Sequence, residues 1–269
     1  MTIVSTAYIS HGGGPLPLLG DERHIEMIST LKTLANDIGK PELIVVVSAH
    51  WEESNITITS NPAPDLYYDY YGFPDEAYTL KYNAPGHSGF ASYLQSGLEA
   101  QGVDTVLDDK RGFDHGMFIP LSIMYPEAYI PTVQISLKHS LNLQEHIVLG
   151  NKLTALLADS EFEHILVLGS GSSFHNMKAF FQNTPETYRK AKMFDDWLQV
   201  VLGDSTIEES KRGSQLKNWS SAPQARFAHP REEHLLPLHV CYGINSTAAD
   251  KSYTLTLLDK PASMFLWQR

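Results

Sequence analysis

Three histidines stand shortly after the carboxyl end of an apolar, β-branched segment that predicts a strand. They are His11 after Val4–Ser10, His50 after Leu43–Ser48 and His175 after His164–Gly169. At the carboxyl edge of an open α/β sheet, side chains that are distant in sequence converge and ligands collect. Uncharged imidazole binds metals and also exchanges protons near neutral pH. This placement predicts a metal-dependent active site at the strand ends.

Two further histidine clusters follow along the chain. His115 lies beside Asp114 in a segment predicted to be a loop, where Asp114 either orients the imidazole or serves as a turn residue. His229 and His234 flank a proline at the start of a helix predicted from Glu232 to about Tyr242. Their separation is not the four-residue spacing of two ligands on one helical face. At most one of this pair is therefore expected to bind a metal directly.

The remaining histidines are expected to have other roles. His87 ends an aromatic loop and His239 lies in an apolar context, so either could line a pocket. Solvated or capping roles are expected for the histidines on amphipathic helices or at a strand start, which are His24, His139, His146 and His164.

The elements that must position these residues form the pattern of a βαβ-type α/β domain. Beside the three strands above, strands are predicted at Pro131–Leu137, 103–107 and 252–258, and helices at roughly 21–38, 88–101, 142–158 and 185–202. The predicted fold is one domain, 1–269, with a central, mostly parallel mixed sheet flanked by helices. Its metal site lies at the strand carboxyl ends. Residues 60–86 are rich in Pro, Tyr and Asp, and predict an ordered loop of the kind that lines sites.

Composition argues against several classes of protein. The formal net charge is −11 and the chain has no cluster of Lys and Arg, so neither nucleic acid nor an anionic membrane is expected as a partner. Cys241 is the only cysteine, which excludes an intramolecular disulfide and a Cys-rich metal site. The chain shows no signal-peptide pattern and no apolar run near the roughly 20 residues of a membrane span. We therefore expect a soluble, cytoplasmic protein.

Five short motifs together resemble those of class III extradiol dioxygenases. In chain order they are SHGGGP at 10–15, SAHW at 48–51, GFDHG at 112–116, GSG at 169–171 with His175, and EHLLPL at 233–238. The nearest branch is the 4,5-DOPA extradiol dioxygenases, which are related to the catalytic subunit of protocatechuate 4,5-dioxygenase. Each motif is short, but their order and spacing cover nearly the whole chain and are specific together.

The resemblance implies a single non-haem metal, iron or zinc, and the substrates catechol and dioxygen. It implies that His11, His50 and His234 are metal ligands. His175 corresponds either to the catalytic base or to a fourth ligand of zinc. A glutamate takes the third ligand position in the protocatechuate branch, and Glu233 adjoins His234, so the choice between these two residues stays open.

Iron(II) is expected to be the working metal, because zinc has no redox chemistry and prefers a closed tetrahedral site. In the iron protein, His175 is expected to act as the base and His115 as a nearby acid or base. Two rival functions stay open, a zinc-dependent hydrolase and a non-enzymatic binding protein on the same fold. Candidate substrate contacts are Arg231, His229, His87 and Tyr67–Tyr71.

Overall fold

A computed structural model describes residues 2–268 and contains one eight-stranded sheet. In chain order the strands are β1 (Ile3–Ser10), β2 (Leu43–Glu53), β3 (Ile56–Thr59), β4 (Thr105–Asp108), β5 (Thr132–Lys138), β6 (His164–Gly171), β7 (Lys251–Leu257) and β8 (Lys260–Gln268). Across the sheet the order is β4-β3-β5-β2-β6-β1-β8-β7. The four central strands β5, β2, β6 and β1 are parallel. β3 pairs antiparallel with β5, and β8 pairs antiparallel with both β1 and β7.

Helices cover both faces of the sheet. They are α1 (Ile25–Ile38), α2 (Ser88–Ala100), α3 (His115–Met124), α4 (Leu143–Ala158), α5 (Met177–Phe180), α6 (Pro185–Gly203), α7 (Glu209–Lys217), α8 (Ala225–Ala228) and α9 (Leu236–Asn245). Alternate residues of β2 enter different apolar clusters, with Ile44 and Val46 in one and Val45 and Val47 in another. A central strand that is buried on both faces explains the continuous apolar run in the sequence. Within 2–268, no helix combines the length and apolar character needed to cross a bilayer.

The predicted fold class is confirmed, and each predicted strand and helix has a counterpart. Two local predictions are wrong. His115 is the first residue of α3 rather than part of a loop. This helix is buried on nearly all sides, so its sequence lacks the amphipathic period that identifies a surface helix. The helix predicted from Glu232 begins at Leu236, which leaves His234 in the turn before α9.

Strand β2 extends beyond its predicted end at Ser48. It continues to Glu53, and its pairing with β5 changes register between Val47 and Glu52. Such a bulge bends a strand and redirects side chains, and bulges are common beside active sites. His50 lies in this irregular stretch, so its side chain is positioned by the bulge rather than by a loop beyond the strand.

Two glycines of β6 allow the C-terminal part of the chain to approach the sheet closely. A Cβ at Gly169 would overlap the sulfur of Cys241, and a Cβ at Gly171 would overlap the carbonyl oxygen of His234. That carbonyl oxygen accepts hydrogen bonds from the Tyr8 hydroxyl at 2.8 Å and from the backbone N–H of Ser172 at 3.0 Å. The turn that carries His234 is thereby held against the end of β6.

We expect Gly171→Ala to lower the free energy of unfolding by about 1–3 kcal/mol, the usual range for overpacking a buried position. Urea denaturation would measure the loss. The control is Gly203→Ala, whose Cβ would lie 3.1 Å from the mobile hydroxyl of Ser252. It should change stability by no more than about 0.5 kcal/mol. Equal effects of the two substitutions would contradict the close approach at Gly171.

Candidate active site

One cavity of about 560 Å³ collects five of the histidines that the sequence singles out. They are His11, His50, His115, His175 and His234. They come from the end of β1, the bulge of β2, the start of α3, the loop after β6 and the turn before α9. The centroids of neighbouring rings lie between 3.4 and 5.4 Å apart. The fold therefore brings together residues from the whole length of the chain, as the strand-end pattern predicts.

His11, His50 and His115 form one group of possible metal ligands. One ring nitrogen from each lies within 4.8 Å of the others. The Nε2 atoms of His11 and His50 are 3.1 Å apart. Two nitrogens that each lie about 2.1 Å from the same ion are about 3.0–3.4 Å apart at octahedral to tetrahedral angles. The spacing of this pair fits a shared metal ion.

A second group consists of His175, Glu233 and His234. The two imidazole rings stack with centroids 3.4 Å apart, and the Nδ1 atom of each faces the same oxygen of Glu233, at 2.9 Å from His234 and 3.3 Å from His175. Nε2 of His234 is buried and has no hydrogen-bond partner among residues 2–268. Glu233 does not line the cavity, whereas His234 does. The geometry favours His234 as the ligand and Glu233 as the carboxylate that orients it.

The predicted ligands are surrounded by protein in a way that keeps them uncharged. Burial lowers the pKa of His11, His50 and His234 well below the ordinary value of imidazole, and the neighbouring histidines lower it further. For Glu233, polar contacts outweigh burial in setting the pKa of the carboxyl. Burial alone would raise its pKa, but the hydrogen bond from His175 and further polar contacts lower it overall. Uncharged nitrogens that lie close together are the form in which histidine binds a transition metal.

The sequence gives no direct sign of the residue that orients His115, which is Asp69. One oxygen of Asp69 accepts hydrogen bonds from Nδ1 of His115 at 2.8 Å and from its backbone N–H at 3.0 Å. The other oxygen lies 3.6 Å from Nδ1 of His50. Asp69 belongs to the aromatic loop that is predicted to line the site. An isolated acid between tyrosines in this loop is the only signal that could have identified it.

The side chain of Asp114 neither caps α3 nor holds the imidazole of His115, which bonds to Asp69 instead. Asp114 precedes α3 without capping the helix through its side chain, and its fully buried carboxylate accepts hydrogen bonds from Ser48 at 2.8 Å, from Arg111 at 3.3 Å and from Gln134. Burial and the charge of Asp69 raise the pKa of Asp114, whereas Arg111 acts to lower it. Asp114 therefore ties the start of α3 to β2 and β5, and positions His115 through the backbone.

Several candidate substrate contacts lie outside the cavity. His229 is fully buried and its Nε2 lies 2.9 Å from the carbonyl oxygen of Ser173, and His87 caps α2 by accepting the backbone N–H of Phe90. Arg231 binds Glu52 through two short contacts and does not line the cavity. Of the segment Tyr67–Tyr71, residues 69–71 line it.

Three other histidines are buried in positions that differ from the expected ones. His24 and His146, predicted to be solvated or to cap helices, are buried, as is His239, which does not reach the cavity. Nε2 of His24 accepts the backbone N–H of Gly13 at 3.1 Å, and Nε2 of His146 accepts the backbone N–H of Lys138 at the same distance. These contacts fix the glycine-rich segment after β1 and the end of β5.

Known proteins resemble this chain over most of its length. A family model described as the catalytic LigB subunit of aromatic ring-opening dioxygenase matches residues 5–259. A dioxygenase of Hapsidospora irregularis, tasH, is 38% identical over 90% of this chain and 78% of its own. The 4,5-DOPA dioxygenase extradiol of Beta vulgaris is 36% identical over 90% of this chain and 87% of its own. An uncharacterized protein from Escherichia coli K12 has a crystal structure that aligns with 99% of each chain, with a TM-score of 0.73 and 25% identity.

We expect His11→Ala, His50→Ala and His234→Ala each to lose bound metal, because each removes a predicted ligand. His115→Ala and Glu233→Ala should keep it. Metal content after iron(II) loading under nitrogen would be measured by inductively coupled plasma mass spectrometry. His139→Ala, which changes an exposed histidine, is the matched control. Loss of metal from His115→Ala with retention in His234→Ala would show that the first group of histidines holds the ion alone.

Proposed function

The chain belongs to the family of catalytic LigB subunits of aromatic ring-opening dioxygenases, and we propose that its reaction is the extradiol opening of a DOPA-like catechol. Cleavage would occur beside the two hydroxyls rather than between them, and both atoms of one dioxygen would enter the product. The observation that carries the proposal is the convergence of five histidines on one largely apolar cavity. We further propose that residues 1–269 act as one catalytic domain.

The metal would be held by His11, His50 and His234, and iron(II) is proposed as the working ion. When bound, iron supplies the redox chemistry that allows dioxygen to react with an aromatic ring, and this requires a site with open positions. Zinc bound in the same place, with His175 as a fourth ligand, would leave the protein inactive because zinc has no redox chemistry.

His175 is proposed as the base that takes up a catechol proton. Its Nδ1 atom faces Glu233 at 3.3 Å, so the carboxylate holds the proton on Nδ1 and leaves the lone pair on Nε2. Nε2 can then accept the proton of a hydroxyl, while Glu233 keeps the ring in this orientation. The stacking of His175 on His234 keeps this base beside the proposed ligands.

His115 is proposed as the acid that returns a proton when the ring opens. Asp69 fixes the ring by accepting the Nδ1–H bond at 2.8 Å, which leaves Nε2 to exchange a proton within the cavity. The two histidines thus have separate carboxylates, Glu233 for the base and Asp69 for the acid.

The iron(II) protein should consume one dioxygen for each catechol and form a coloured semialdehyde, whereas the zinc protein should consume none. An oxygen electrode and an absorbance spectrum would follow a DOPA-like catechol panel together. Hydrolysis of esters or amides by the zinc protein, without oxygen uptake by the iron protein, would favour the hydrolase. Binding of catechols without either reaction would favour the binding protein.

His175→Ala and His115→Ala should keep iron and lower kcat by roughly 10²–10⁴-fold, as expected for a missing acid or base. Asp69→Ala should lower kcat by roughly 10–100-fold, because it removes the carboxylate that orients His115 and leaves the imidazole itself in place. The control is Asp65→Ala, an exposed acid of the same loop. A kcat in Asp69→Ala equal to that of Asp65→Ala would rule out the orienting role.

A further inference from the structure

Several large apolar side chains at the rim of the histidine cavity are exposed to solvent. Tyr71 and Phe181 are 91% and 82% exposed, the two largest values among large apolar side chains of residues 2–268, and Met177 is 57% exposed. All three line this cavity. Exposed apolar side chains that are grouped at the mouth of a pocket mark a surface on which an apolar partner is buried.

A strained turn supplies another apolar part of the cavity lining. Leu258 and Asp259 connect β7 to β8 as a two-residue turn, with φ of 50° and 62°. Turns of this kind favour Asn or Gly, since left-handed backbone is unfavourable for a bulky side chain such as leucine. Leu258 nevertheless occupies this position, and its side chain lines the cavity beside that of Leu257. Strained residues that the surrounding structure retains occur preferentially at functional sites.

The charged groups that line the cavity are already engaged. Among the described residues of the lining, only Arg23 and Asp69 carry a formal charge. The guanidinium of Arg23 donates to both oxygens of Asp21, at 3.1 Å to Oδ1 and 2.6 Å to Oδ2. Asp69 accepts a hydrogen bond from His115. A substrate side chain with a free ammonium and carboxylate would therefore lose its hydration without gaining an unoccupied partner of opposite charge.

We infer that, among the catechols related to DOPA that are proposed as substrates, the cavity favours those with an extended apolar side chain over the zwitterionic side chain of DOPA itself. The histidines would hold the dihydroxy ring, while the side chain would extend between Leu258 and the exposed rim of Met177, Phe181 and Tyr71. A volume of about 560 Å³ lies within the range for drug-sized ligands of roughly 300–1,000 Å³, so it has space for more than one aromatic ring. This inference rests on the proposed ring-opening reaction.

The test compares catechol, 4-methylcatechol, 4-butylcatechol and DOPA as substrates of the iron(II) protein. Each added methylene should raise kcat/KM by roughly two- to fourfold, the factor given by partial to full burial of a CH₂ group. The affinity of the iron(II) protein for the same four compounds would be measured by calorimetry under nitrogen, where no turnover occurs. 4-Butylcatechol should bind more tightly than DOPA and with a negative heat-capacity change.

Leu258→Asn is the most informative variant because asparagine accepts the left-handed backbone of the turn. It should keep or increase the melting temperature and yet lose most of the preference for 4-butylcatechol over DOPA. Phe181→Ser should reduce the same preference by removing an apolar side chain of the rim. The control is Val200→Ser, which alters an exposed apolar residue of α6 outside the cavity and should leave the preference unchanged.

The outcomes separate the inference from the reaction on which it rests. Turnover of DOPA that equals or exceeds that of 4-butylcatechol would overturn the inference and leave ring opening intact. Absence of oxygen uptake with all four compounds would overturn the reaction, and the calorimetric affinities would still decide for or against the apolar side chain. A dimer that Phe181→Ser dissociates in sedimentation, with substrate preference unchanged, would assign the rim to a second copy of the chain and overturn the inference.

Discussion

The crowding of uncharged imidazole rings around one buried point is the constraint on which the rest of the structure depends. His11, His50 and His234 lie with ring centroids about 5 Å apart, and burial keeps all three unprotonated. Polar groups that are buried without partners destabilise a fold. Burying these rings together is therefore unfavourable, and the strands, the bulge of β2 and the turn before α9 must hold them in place. A bound metal would offset this cost by giving the ring nitrogens a partner.

Two carboxylates divide the site into halves with different proton chemistry. Asp69 lies on the side of His115 and His50, whereas Glu233 lies on the side of His175 and His234. Each acid comes from a different part of the chain. Because each carboxylate contacts both a proposed ligand and a proposed proton-transfer residue, it couples the position of the metal to the orientation of the group that moves a proton.

The regular elements and their histidines could be predicted because they depend on short-range patterns. Continuous apolar runs identify the central strands, and the residues after them lie at one edge by the geometry of parallel sheets. The start of α3 could not be recognised, because a helix buried on nearly all sides has no amphipathic period. β8 was also missed, since its hairpin turn has Leu258 at a position where Asn, Asp or Gly is usual. Asp69 depends on a contact with His115 that only the tertiary fold creates.

The position of β1 in the middle of the sheet determines when the site can form during synthesis. β1 pairs with β6 and β8, both of which follow it by most of the length of the chain. Pairings between such distant segments form slowly because the closure of long loops is entropically unfavourable. A nascent chain that ends before residue 234 therefore contains His11 and His50 without their proposed partner His234. The proposed metal ligands can therefore meet only late in synthesis, once β6 and the turn before α9 have been made.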